Sequence, residues 1–250
     1  MTRSLLLRGM LVGVAAGLLA FLFAYNFGEP QVDLAVAFEE QVTAAAATAS
    51  GVPPVEEPAV VTRETQAGIG LATGLVAYGA AVGGIFALVF ALIYGRVAML
   101  GARATSALLG AAAFVSTGLV PQLKYPANPP AVGFDETIGA RTMLFFVLLV
   151  LSVICMLVTV LVARRLWDQR GGWSASLIAG AVFVGLTTVS FLALPAVNEM
   201  PLGFDAMVIW NFRIAALGIH LVLCLTLGFG FGAVAERLLE GPRIRRPAAI

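Results

Sequence analysis

TMLFFVLLVLSVICMLVTVLVA, residues 142–163, runs for 22 positions without a charged side chain. As a helix rising 1.5 Å per residue it reaches about 33 Å, enough to cross a hydrocarbon core of ~30 Å. Arg141 stands just before it, and Arg164 and Arg165 just after. Five further apolar runs lie on either side, at roughly 5–27, 67–94, 104–121, 174–195 and 211–235, of which 104–121 is the shortest. The whole chain is 60% hydrophobic and 12% charged, with a mean hydropathy of +0.97, far from a soluble globular composition. In lipid, only helices and closed barrels satisfy their own backbone, and these runs lack the alternation of barrel strands. The expected fold is an all-α integral membrane protein, a six-helix transmembrane bundle built as three helical hairpins.

The charges orient the bundle. Eleven arginines (Arg3, Arg8, Arg96, Arg103, Arg164, Arg165, Arg170, Arg237, Arg243, Arg245 and Arg246) fall on one side with three acids, Asp168, Glu236 and Glu240. The other side holds four basic residues, Arg63, Lys124, Arg141 and Arg213, against eleven acids. The positive-inside rule then places both termini in the cytoplasm and the three longer loops outside. Arg3 and Arg8 ahead of a long apolar run, with no small-residue cleavage site after it, read as an uncleaved signal-anchor. Cys155 and Cys224 both fall inside apolar runs and carry no sign of an oxidising compartment.

The first outer segment, about 28–66, is acidic. It opens with GEPQVDLAVAFEEQV, expected as a short interfacial helix after a break at Pro30. An Ala-rich run and GVPPVEEP follow, expected as a flexible linker. Glu29, Asp33, Glu39 and Glu40, with Glu56 and Glu57, would gather cations by their summed field; the alternative is a solvated acidic linker. Glycines spaced four apart (Gly9, Gly13 and Gly17; Gly70 and Gly74; Gly79 and Gly83; Gly228 and Gly232) suit close helix approach, as fixed packing or as sliding surfaces.

Two later loops are near copies: PANPPAVGFD at 126–135 and PAVNEMPLGFD at 195–205. Phe114-Val115 and Phe183-Val184 are 69 apart, as are Pro126 and Pro195, while Asn128 and Asn198 and the Gly-Phe-Asp triplets are 70 apart. A register kept through helix and loop indicates repeated hairpins at 104–163 and 174–235. The repeat brings Asn128, Asn198, Asp135, Glu136, Glu199 and Asp205 to one mouth of the bundle. Amide and carboxylate oxygens suit hard or borderline divalent cations, though neither loop has the regular spacing of a calcium loop. The alternative is a pair of rigid re-entry turns with capping asparagines and solvated acids. Arg141 and Arg213 follow the triplets by six and eight residues, either pairing with Asp135 and Asp205 as gating charges or reaching to the interface.

His220 and Cys224 are four apart on the last span and share a face. They are candidate intramembrane metal ligands if Cys155 approaches as a third; otherwise His220 simply hydrogen-bonds a neighbouring helix. Phosphate-loop, H-E-x-x-H and G-x-S-x-G motifs are absent, and with one histidine an enzyme is not expected. The basic inner patches fit topology and anionic lipid and do not call for nucleic acid.

LLLRGMLVGVAAGLLAFLFAYNFGEP, LKYPANPPAVGFDETIGAR, LPAVNEMPLGFD and WNFR together resemble the CbtA family of probable cobalt transporter subunits, over essentially 8–237. The matching motif positions are Glu29 and Pro30, then Lys124, Tyr125, Pro126, Asn128, Pro129, Pro130 and Gly133. They continue through Glu136, Thr137 and Arg141 to Pro195, Asn198, Glu199, Pro201, Trp210 and Arg213. The resemblance implies a multi-pass protein of the bacterial inner membrane that takes up Co²⁺ for cobalamin synthesis, with the ion as substrate and no resident cofactor. It also implies a small one-helix, histidine-rich partner of the CbtB kind; a second copy of the chain is a further candidate partner. The rival expectation is a membrane scaffold or regulatory subunit whose outer loops bind a protein.

Overall fold

The computed structural model describes residues 2–51, 61–96, 100–197, 199–201 and 203–241, with Asp135 described by its backbone alone. Among the described residues there is no strand. Five helices are long and apolar enough to cross a membrane: α1 (Thr2–Ser50), α2 (Arg63–Ile93), α3 (Ala102–Lys124), α4 (Ile138–Ala193) and α5 (Ala206–Leu239). Glu56, Glu57, Asn198, Arg243, Arg245 and Arg246, and most of GVPPVEEP, lie outside the described residues.

α4 is not one rod. A straight helix of its 56 residues would part its ends by about 84 Å. Yet Thr137, one residue before its start, hydrogen-bonds Glu199, six residues past its end, at 2.6 Å. The chain doubles back at Gly171, the one residue inside α4 with non-helical angles (φ 74°, ψ 157°). Two antiparallel arms result, matching the apolar runs 142–163 and 174–195. α3 is 23 residues long, so the shortest run gains length at its far end and reaches about 35 Å.

The expected break at Pro30 is absent. α1 runs on through the acidic stretch and the Ala-rich run to Ser50, so the first half of the expected loop is helix. A π-turn at Ala24–Gly28 explains how. The Glu29 amide bonds Ala24 O, five residues back, and Pro30 opens the α-helical stretch that follows. The missing proline donor therefore falls where hydrogen bonding is already being reset. π-turns also interrupt α2 (Gln66–Gly70), α3 (Phe114–Leu119) and α5 (Thr226–Phe231).

The core sits where α1, α2, α3 and α5 meet. Leu5, Phe86, Phe90, Ala102, Leu227, Phe231 and Ala235 are buried there, with Phe231 edge-on to Phe90 at 5.2 Å and to Phe86 at 5.7 Å. α1 and α2 meet backbone to backbone. A methyl group on Gly13 would fall inside the Gly79 carbonyl, and one on Gly83 inside the Gly9 carbonyl. Ser106 Oγ donates to Gly228 O across α3 and α5 at 2.7 Å, giving a carbonyl of the α5 π-turn a partner. α4 is the outlier. Only 17% of its most apolar stretch is buried against 33–39% in the others, so that stretch is the most exposed of the five.

The bundle has two distinct ends. Leu5, Tyr94, Ala102 and Glu240 gather at one, so the described parts of both chain ends lie together there. The two repeated loops gather at the other.

Candidate functional site

At the loop end, each Gly-Phe-Asp triplet turns on its glycine. Gly133 (φ 108°) and Gly203 (φ 86°) sit in the left-handed region open chiefly to glycine, and they are 70 residues apart, as the repeat requires. Behind them the loops are tied to the α4 arms. Lys124 Nζ donates to Phe191 O at 2.7 Å, answering one of the last carbonyls of α4, and lies 5.7–5.9 Å from the Tyr125 and Phe191 ring centres. Tyr125 Oη donates to Pro195 O at 2.7 Å.

The polar side chains then cross between repeats. One oxygen of Glu199, on the second loop, accepts the Phe134 amide at 3.1 Å and the Thr137 hydroxyl at 2.6 Å on the first. The same oxygen lies 3.5 Å from Arg141 Nε, an ion pair longer than a hydrogen bond. Arg141 also donates to Phe134 O at 3.3 Å. The Thr137 hydroxyl, then the Phe134 amide and then the Arg141 charge hold the Glu199 carboxyl below the usual carboxylate range. In the reverse direction Arg213, on α5 of the second repeat, donates to Asn128 Oδ1 on the first loop at 2.9 Å. Beneath these pairs Val132, Phe204, Val208 and Ile209 close on Ala35 and Phe38 of α1, with Phe38 edge-on to Phe204 at 4.9 Å. The continuation of α1 past Pro30 thus forms one wall of the loop end.

The expected partner of Arg141, the Asp135 side chain, lies outside what the structure describes. Arg141 and Arg213 reach across to the other repeat, to Glu199 and Asn128, and Asp205 instead caps α5 by accepting the Met207 amide at 2.8 Å. Glu136 is exposed with no partner among the described residues, Asp135 has only its backbone described, and Asn198 lies outside them. Glu29 and Asp33 are both paired with Arg63, the latter at 3.0 Å, so the acidic face is partly neutralised by its own chain. Glu39 and Glu40 are exposed, and Glu39 and Arg141 both line a groove of about 660 Å³ between α1 and the first loop.

His220 hydrogen-bonds a neighbouring helix. Its Nε2 lies 3.0 Å from Thr117 Oγ1 in the α3 π-turn, and the ring packs on Gly118. Cys224 and Cys155 are buried and free. Among the described residues no three His, Cys, Asp or Glu side chains are placed to hold a metal ion.

Three features went unseen in the sequence. Arg63 is bound to Glu29 and Asp33 over more than 29 residues, and no local pattern signals that. Thr137 has a signal, its place in the resemblance, though not the role. At the opposite end Glu240 Oε1 accepts Tyr94 Oη at 2.6 Å and the Ala102 amide at 2.7 Å, and Arg103 pairs with Glu236 at 2.7 Å. Tyr94 first, and then the Ala102 amide, hold the Glu240 carboxyl low.

The bundle is therefore latched at both ends. At the loop end one Glu199 oxygen and Asn128 Oδ1 are already held by internal donors. The family description "Probable cobalt transporter subunit (CbtA)" matches residues 2–236. No curated protein and no solved structure is similar enough to match the chain.

Proposed function

Because the chain belongs to the CbtA family of probable cobalt transporter subunits, we propose that it is the permeation subunit for Co²⁺, carrying the ion inward across the bacterial inner membrane for cobalamin synthesis. The arms of α4 count as two crossings in this reading, making six, with both termini and the arginine-rich end in the cytoplasm. The loop end then faces outward and is closed.

The observation that carries the reading is the crossed pairing of Arg141 with Glu199 and of Arg213 with Asn128. Each repeat holds the other shut, so opening the mouth frees an amide and a carboxylate oxygen together. Oxygen donors without histidine or thiolate bind a borderline cation weakly enough to release it. Asn198 and Glu136 are candidate contacts on the same path. A histidine-rich one-helix subunit of the CbtB kind would supply the tighter capture that this chain, with a single histidine, does not.

Radioactive cobalt uptake in a transporter-deficient host tests the proposal, with the chain expressed alone and with such a partner, and nickel as competitor. Saturable uptake is expected, and it should fall at least tenfold in Asn198→Ala/Glu199→Ala protein that still reaches the membrane. Full uptake by that variant removes these residues from the path. No uptake with either form, the protein being verified in the membrane, favours the scaffold role.

A further inference from the structure

The turn between the α4 arms stands at headgroup depth. The first apolar run ends at Ala163 and the second begins at Ser174, so residues 164–173 lie beyond both. Within them Arg164, Arg165 and Arg170 are exposed, with one acid, Asp168. Among the described residues none of the four makes an ion pair, although Asp168 follows Arg164 by four residues on one helix. The tip therefore keeps three positive charges and one negative in the open. Other arginines of that end are used internally. Arg96 donates to Ala91 O and Leu92 O at the end of α2, and Arg103 pairs with Glu236. Trp167 and Trp173 flank the turn, 54% and 79% exposed. The Trp167 ring lies across Gly172, which has no side chain to displace it. The rest of the bundle leaves this tip alone. α4 packs on the outer half of α3, Phe114–Lys124, whereas the inner half, Ala102–Ala113, packs on Thr226–Leu239 of α5.

We infer that the α4 tip binds the phosphate of an anionic phospholipid, with Arg164, Arg165 and Arg170 as donors and the two tryptophan rings as anchors at the same depth. The guanidinium fork matches phosphate oxygens in pairs, and an indole suits the boundary where one edge is wet and the other apolar. A zwitterionic headgroup brings its own cation to its phosphate, so the unpaired arginines select against it. Charge also decides between lipid and a second copy. Another copy would bring the same positive tip, and like charges oppose that contact. The inference does not depend on what the chain carries, because it concerns the hairpin that packs least on the bundle.

Quenching by brominated lipid tests this. The third tryptophan, Trp210, lies near the loop end, so Trp210→Phe protein fluoresces from the tip alone. The purified full-length chain would be placed in nanodiscs of phosphatidylcholine and phosphatidylglycerol at fixed composition, with only one of the two lipids brominated. Brominated phosphatidylglycerol is expected to quench as though enriched about threefold or more at the tip, a modest share of what three basic residues give at an anionic surface. The excess should vanish at high salt, which screens exposed charges, and in Arg164→Gln/Arg165→Gln/Arg170→Gln protein. It should persist in Arg3→Gln/Arg237→Gln, which removes charge elsewhere at the same end. Equal quenching by the two lipids overturns the site, as does an excess that survives the triple substitution. An excess lost alike in both variants also overturns it, since the field of the whole basic end would then suffice. Failure of either lipid to quench means that protein covers the tip, and again the inference falls. The salt comparison needs no substitution, so poor insertion of the triple variant cannot hide the result.

Discussion

At Glu199 a single carboxylate oxygen faces the Phe134 amide, the Thr137 hydroxyl and the Arg141 guanidinium. Those donors favour its charged form and hold its pKa below the ordinary carboxylate range, the hydroxyl first. A lowered carboxyl stabilises the closed loops above the ordinary carboxylate value of about 4.3, and that stabilisation is lost as pH falls through the depressed value. The Phe134 amide should therefore stay protected from hydrogen exchange at pH 5 and lose protection only in stronger acid. In Glu199→Gln it should exchange about tenfold faster at pH 5, with no acid step, since a neutral acceptor is the weaker one. Equal protection in the variant means that Glu199 is not what holds the first loop. The sequence placed Glu199 and Asn128 at one mouth and offered Asp135 and Asp205 as partners for the two arginines, but it could not pair Arg141 with Glu199 or Arg213 with Asn128. The partners lie 58 and 85 residues apart, and which loop meets which arginine depends on how two hairpins dock. The Gly-Phe-Asp triplets were legible as a repeated string, but the turn each makes on its glycine was not read from it.

At the scale of elements, two helix boundaries separate what the chain says locally from what it does. The apolar runs of α4 mark two crossings, and Arg-Gly-Gly between them marks a turn; the structure makes that turn at Gly171 alone. Its angles fall in a region essentially restricted to glycine, where another residue costs about 1–3 kcal/mol. Gly171→Ala should lower the melting temperature of the purified protein by several degrees. Gly139→Ala, with nothing within 4 Å of an added methyl, should leave it unchanged or slightly raised. Equal melting of both variants would show that the α4 arms do not turn on Gly171. The Pro30 expectation failed for a different reason. Proline breaks an α-helix by removing its own donor to the carbonyl four residues back, and the π-turn before it has already shifted the donors. Composition does not announce a π-turn, so neither the long α1 nor the wall it forms at the loop end was legible.

At the scale of the molecule, membrane class and the apolar runs were readable because each rests on length or polarity. The latches were not, because they join residues through the assembled bundle. Two ends are held shut: Glu199, Arg141, Asn128 and Arg213 at one, Glu240, Tyr94 and Ala102 at the other. Transport through such a molecule requires the loop end to part, and Val132 and Phe204, from the two loops, must then separate. The most direct measurement is cobalt uptake by Val132→Cys/Phe204→Cys protein in a Cys155→Ser/Cys224→Ser background, before and after a short reversible thiol cross-linker. The account predicts uptake in the reduced form, its loss on cross-linking and its return on reduction. Cross-linked protein that carries cobalt at the reduced rate would contradict it.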